Sequence, residues 1–168
     1  MPLRRSEAAG LRGTEVDLTE GWIRIPGSRM KNRKRHELPL SKPALEILVR
    51  RRASASPGLV FPSPTGAPLN NWGRALDHIR LALGQADAAR SDRLCLHDFR
   101  RAFVTHLADH FEEGALDRIL AHSRGGVAGV YQHARYMSAR PRIMEKWAEI
   151  LLDQHANNVV KLRAGALS

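Results

Sequence analysis

Apolar positions recur along this chain with two different periods. Between residues 14 and 40 they fall in short runs rich in β-branched side chains: TEVDL at 14–18, WIRIP at 22–26 and HELPL at 36–40. Runs of this kind predict strands. Together they predict one small antiparallel sheet, with GSRMKNRKR as a basic hairpin loop between the second and third strands. Elsewhere the period is helical. Residues 3–12 read as the last turns of a helix. Ser41 stands where it can cap a helix reaching about Arg52, with Pro43 in the first turn and Leu45, Ile47 and Leu48 apolar. Beyond the link SPGLVFPSPTGAP, residues Trp72, Leu76, Ile79 and Leu83 are spaced four, three and four apart and predict a helix over 71–83. Phe99, Phe103 and Leu107 form another stripe, and Leu116, Ile119 and Leu120 mark a short helix. A helical segment begins near Val127. A separate one, after Ser138, runs from Ala139 to Leu152 and buries Ile143, Trp147, Ile150 and Leu151. The fold class predicted is mainly α with a small antiparallel β-sheet (α+β), as one domain over 1–153 with a flexible tail over 154–168.

Charge narrows the function. The formal net charge is +10 and the pI about 10.9. Five of the 27 basic residues are lysine, so 22 are arginine. Arginine's planar fork of donors matches phosphate oxygens, which points to nucleic acid as the partner. No apolar run is long enough to cross a membrane. The first ten residues lack a signal peptide's apolar stretch, which predicts a cytoplasmic protein. The one cysteine, Cys95, has no partner for a disulfide and reads as a small core residue between Leu94 and Leu96.

The stretch CLHDFRRAFVTHLADH concentrates the chemistry. His97 precedes Arg100 by one turn at a predicted helix start, where free N–H groups and the helix dipole favour an anion. At 100° per residue, Arg100 lies at the shoulder of the Phe99–Phe103–Leu107 stripe and Arg101 points to solvent. The bland alternative pairs Arg100 with Asp98 or Asp117. In a chain this rich in both residues, roughly one H-x-x-R is expected by chance, so the pattern alone assigns nothing. Further residues join it. LRRSE sets Glu7 one turn from Arg4, RMKNRKR puts Lys31 at a hairpin tip, and LAHSRGGVAGVYQ places His122 nine residues before Tyr131.

This order and spacing resembles the catalytic domain of the tyrosine recombinases, the phage and prophage integrase family. IPGSRMKNRKRHELPLS and GGVAGVYQ are similar to the prophage subgroup in particular. The resemblance covers nearly the whole chain. It implies that Arg4, Lys31, His97, Arg100, His122 and Tyr131 are catalytic, with Glu7 supporting Arg4. The activity implied is site-specific recombination, with DNA cleaved and rejoined through a 3′-phosphotyrosyl intermediate. The implied partner is double-stranded DNA at attachment-type sites, with self-association on DNA as a tetramer. Neither cofactor nor metal is implied.

The residue types suit that chemistry. A phenol titrates near about 10 and must lose its proton as it attacks. Two guanidinium forks can meet the non-bridging oxygens of the phosphate. His97 is the candidate for general-base help, and an ammonium at Lys31 can protonate the departing 5′-oxygen. Arg29, Arg33, Lys34 and Arg35 read as phosphate contacts. Tyr136 is a competing nucleophile, but it lies fourteen residues after His122.

Three departures stand out. Ala121 occupies the place of a customary glycine, and Gly13 that of a tryptophan in L-R-W-x-x-[IV]-D. Only three residues precede Arg4, where the family carries further helices and a core-binding domain. From this, Arg4 is expected to sit on a frayed stub held by Leu3, Ala8 and Leu11. A catalytically impaired DNA-binding remnant is accordingly the alternative to an active recombinase. A type IB topoisomerase shares the chemistry, but the GGVAGVYQ context speaks against it.

Overall fold

A computed structural model describes residues 1–51, 58–85, 93–122 and 128–157, the last segment with its backbone alone over 128–135 and 153–157. The elements, in chain order, are α1 (Arg5–Ala9), β1 (Val16–Asp17), β2 (Trp22–Ile25), β3 (His36–Pro39), α2 (Lys42–Arg50), α3 (Trp72–Ala82), α4 (Asp98–Leu107), α5 (Glu113–Ile119) and α6 (Ala128–Asn157). Short 3-10 turns precede β1 (Gly13–Glu15) and open the hairpin loop (Gly27–Arg29). This is the expected α+β class.

The strands form one antiparallel sheet in the order β1-β2-β3, with Ile23 opposite both Val16 and Leu38, and Ile25 opposite His36. The period-2 pattern buries Ile23, Ile25 and Leu38 on one face. The predicted first strand is shorter than its sequence run, because Thr14 and Glu15 belong to the 3-10 turn. Gly13, which lacks the tryptophan side chain, is pinned instead through its backbone: its N–H donates to the Gly58 carbonyl at 3.1 Å.

Helices α4, α5 and α6 pack against one another, and α6 also packs against α2 and against β3 of the sheet. Phe103 and Trp147 meet edge-on, ring centroids 5.5 Å apart. Complete burial of a side chain the size of Phe103 contributes about 1.5–3 kcal/mol. The Asn71 side chain accepts from the Arg74 N–H and caps α3. Ser41 is buried and makes no side-chain cap bond; the first N–H of α2, that of Lys42, donates instead to the Glu145 carboxylate at 2.9 Å, and Pro43 fixes the geometry of the first turn.

Several predicted core positions face outward. Ile47, Leu83 and Leu151 are exposed, and Cys95 is half-buried. The most consequential difference is in α4. Its buried residues are Arg100, Phe103 and Leu107, while Phe99 is 47% exposed. The helix is turned so that an arginine takes the place expected for a phenylalanine. The predicted break at Ser138 is also absent. Residues 128–157 form one helix with Pro141 inside it, and Ser138 lies within its ladder. The helix extends four residues into the predicted tail, and 158–168 lie outside the described residues.

Candidate active site

The site is assembled where α1, α4 and the β2–β3 hairpin meet the last turn of α5. Glu7 anchors it. Its two oxygens accept from the Arg4 side chain (Nη1, 2.7 Å) and from the Arg4 backbone N–H (2.7 Å), and the second bond satisfies a backbone donor at the start of α1. Glu7 is only 5% exposed, so its charge acts in a poorly screened setting.

Arg100 lies beside this pair. Its Nη1 donates to the Pro2 carbonyl and its Nη2 to the Leu120 carbonyl at 2.8 Å. Those acceptors answer the question posed by a guanidinium only 7% exposed. Neither Asp98 nor Asp117 is its partner: Asp98 accepts from the Cys95 N–H and pairs with Arg101, and Asp117 pairs with His122. Burial, and then the neighbouring Arg4 charge, lower the Arg100 pKa, with Glu7 opposing them.

The end of α5 is the meeting point. The Leu120 carbonyl holds Arg100. The next carbonyl, that of Ala121, accepts from Arg4 Nη2 at 3.5 Å and from Asn32 Nδ2 at 3.3 Å. Ala121 has φ 54°, in the left-handed region. That conformation costs an alanine about 1–2 kcal/mol, and it explains why glycine suits this position. His122 follows directly, with Nδ1 3.1 Å from Asp117 Oδ1. Lys31 is exposed at the hairpin tip, beside Asn32. His97 is the exposed N-cap residue of α4, one turn before Arg100. Tyr131 is the fourth residue of α6, and its side chain lies outside the described residues.

The expectation that Arg4 is loosely held is corrected. Leu11 is fully buried, Ala9 rather than Ala8 faces the core, and Arg100 and Arg29 reach across to the backbone of Pro2 and Glu7. Two of the expected DNA contacts have ion-pair partners within the chain. Arg29 pairs with the buried Glu15 and lies against Gly10, where an added Cβ would stand 2.6 Å from its Nη2. It ties the hairpin to α1. Arg35 pairs with Glu37 at 2.9 Å. Among the described residues Lys31, Arg33 and Lys34 make no ion pair, and all three are exposed.

Two buried groups escaped the sequence reading. His36 on β3 is 5% exposed, with its pKa pushed down to about 4, first by burial and then by Arg140, Arg4 and Arg100 against the pull of Glu7. It is neutral at pH 7 and adds no charge behind the arginines. Arg140 on α6 donates from Nη1 to the Glu37 carbonyl, while its buried Nε has no partner. His36 was legible: it alternates with Leu38 on the inward face of its strand. Tyr136, the competing nucleophile, packs its ring on Gly114, at the end of α5 remote from Leu120 and Ala121.

Residues 2–137 match the model of the phage integrase family. The chain belongs to that family. It is 30% identical over 151 residues to the integrase of Shigella phage Sf6 and, to the same extent, to prophage integrase IntS of Escherichia coli K12; each alignment covers 89% of this chain. It is 31% identical over 153 residues to tyrosine recombinase XerC of Pseudomonas entomophila L48, covering 83% of this chain and 49% of that protein. The chain spans 38% of the length of the two integrases. No solved structure matches. No helix among the described residues is long and apolar enough to cross a membrane, and no group of His, Cys, Asp and Glu among them could hold a metal ion.

Proposed function

We propose that this chain is the catalytic part of a site-specific DNA recombinase that breaks and rejoins strands through a 3′-phosphotyrosyl intermediate. One observation carries the reading. Arg4 and Arg100, far apart in sequence, converge on the two consecutive carbonyls that precede His122, and Asn32 brings the Lys31 hairpin to the second of them. Each arginine keeps N–H donors beyond those bound to carbonyl or carboxylate, since a guanidinium has five. Two such forks side by side suit a phosphodiester whose negative charge grows in the transition state.

In this scheme the Tyr131 oxygen attacks phosphorus and the bond to the 5′-oxygen breaks. The phenolic proton passes towards His97, and Lys31 delivers a proton to the departing oxygen. The phosphotyrosyl ester conserves the linkage energy, so a 5′-hydroxyl from another strand reverses the step. The partner is double-stranded DNA at attachment-type sites, with copies of the chain assembling on it.

The test is capture of the intermediate. The protein is incubated with nicked duplexes carrying a randomised core, in which the nick lets the cleaved fragment escape. Expected are DNA adducts that survive detergent, disappear with protease and share a sequence. Binding without any adduct would overturn the catalytic reading and leave a DNA-binding remnant.

Salt dependence gives a second check. Each phosphate neutralised contributes a slope of about −0.9 in log K against log salt. Replacing Arg33 and Lys34 with glutamine should therefore flatten the slope by up to about two units. Arg29→Gln should leave it unchanged, because Arg29 is engaged with Glu15. A slope indifferent to Arg33 and Lys34 would move DNA to another face.

A further inference from the structure

We infer that Asn32 is the positioning residue that sets Lys31 against the scissile 5′-oxygen, by latching the hairpin tip to the end of α5. The inference rests on the reading of Lys31 as proton donor.

The base of the hairpin is held by ordinary means. Ile25 pairs with His36 across the strands, Met30 is buried, and Gly27 lets the neck close: a Cβ there would stand 2.5 Å from the Arg33 carbonyl oxygen. Past Met30 the situation differs. Lys31, Arg33 and Lys34 are exposed like charges with no ion pair among the described residues. They repel one another. The Arg33 N–H donates to the Met30 carbonyl at 3.0 Å and closes a turn around Lys31 and Asn32, but that bond is internal to the tip and does not give it a fixed place against the rest of the site. Proton delivery requires one: donor and acceptor must come within hydrogen-bond reach.

Asn32 supplies it with both ends of one amide. Its Oδ1 accepts from the Lys34 N–H at 3.1 Å, closing an Asx turn around Arg33, whose φ of 55° is the left-handed turn conformation. Its Nδ2 donates to the Ala121 carbonyl at 3.3 Å, a residue 89 positions away. That carbonyl also receives Arg4. The offset between the tip and the arginine that would hold the phosphate is thus set through a single oxygen atom. Lys31 is the residue next to the latch, so its reach to the leaving oxygen is measured from the point that fixes Arg4.

The substitution Asn32→Asp retains Oδ1 for the turn and removes the N–H that makes the latch. Asn32→Ser keeps a turn-forming oxygen without the reach, and so controls for the new carboxylate. Each is compared with Lys31→Ala in single-turnover cleavage of the captured duplex, prepared with oxygen or with sulfur at the 5′ bridging position. A thiolate leaves without a proton. Misplacing a reacting group by about 1 Å costs up to about 10²-fold, so a loss of about tenfold or more is expected on the oxygen substrate for both Asn32 variants. On sulfur all three variants should approach the parent rate. Lys31→Ala restored by sulfur while the Asn32 variants are not would overturn the inference and leave the general-acid reading intact. Lys31→Ala equally impaired on both substrates would sink that reading, and the inference with it. In the free protein, trypsin should cut after Lys31, Arg33 and Lys34 several-fold faster in both Asn32 variants, with unchanged melting temperature. Unchanged tip cleavage would overturn the latch whatever the kinetics.

Discussion

Tyr131→Phe abolishes the covalent protein–DNA adduct and leaves non-covalent affinity nearly unchanged: that is the first expected result. The substitution removes one oxygen atom, the proposed nucleophile, and retains the ring. Tyr136→Phe should retain adduct formation. Tyr136 is half-buried, its ring held against Gly114 in the first turn of α5, while the arginines gather at the opposite end of that helix. The two variants are compared on the nicked duplex by detergent-resistant gel shift. An adduct that persists in Tyr131→Phe and vanishes in Tyr136→Phe would reverse the assignment.

Arg100→Ala is expected to combine a catalytic and a structural loss. Removal of one preorganised donor to a developing oxyanion costs about 10²–10³ in rate. It also strips the Pro2 and Leu120 carbonyls of their donor inside the fold. Each buried group left unpaired costs about 1–3 kcal/mol. Arg100→Lys should recover part of the stability and little of the rate, because a point charge cannot bridge two carbonyls and present a fork to phosphate. Thermal melts and single-turnover adduct formation separate the two losses. A folded Arg100→Ala variant that cleaves at the parental rate would confine Arg100 to holding Pro2 and Leu120.

Local relationships were legible in the sequence and distant ones were not. Glu7 as the holder of Arg4 follows from a one-turn spacing, and the start of α3 beside Asn71 from the apolar stripe that follows it. The phase of α4 could not be read that way. Periodicity favours Phe99 inside, yet a rotation of one residue buries Arg100 instead. The carbonyls of Pro2 and Leu120 that make this tolerable lie 98 and 20 residues away. Arg29 looked like a member of a basic run because Glu15, fourteen residues earlier, gives no local sign of being its partner. The break at Ser138 failed for a different reason. A serine inside a helix can bond back to its own ladder, and tertiary packing outweighs its weak preference for a cap. Pro141, a stronger interrupter, also lies within α6, where Ile143, Met144 and Trp147 bury the helix against the core.

The shared carbonyls at the end of α5 bear on the order in which the molecule forms. Arg4 and Asn32 reach Ala121 across 117 and 89 residues of chain. Contacts that close such loops pay the entropy of closure before they return any enthalpy. Helices α4, α5 and α6 are sequence neighbours and can assemble first, through Phe103, Leu116 and Trp147. The arginine centre then closes last, onto a turn already strained at Ala121. Interactions absent from the folding transition state act on the rate of unfolding. Arg4 and Asn32 thereby govern how long the native site survives once made, and have little influence on how quickly the chain first finds its fold.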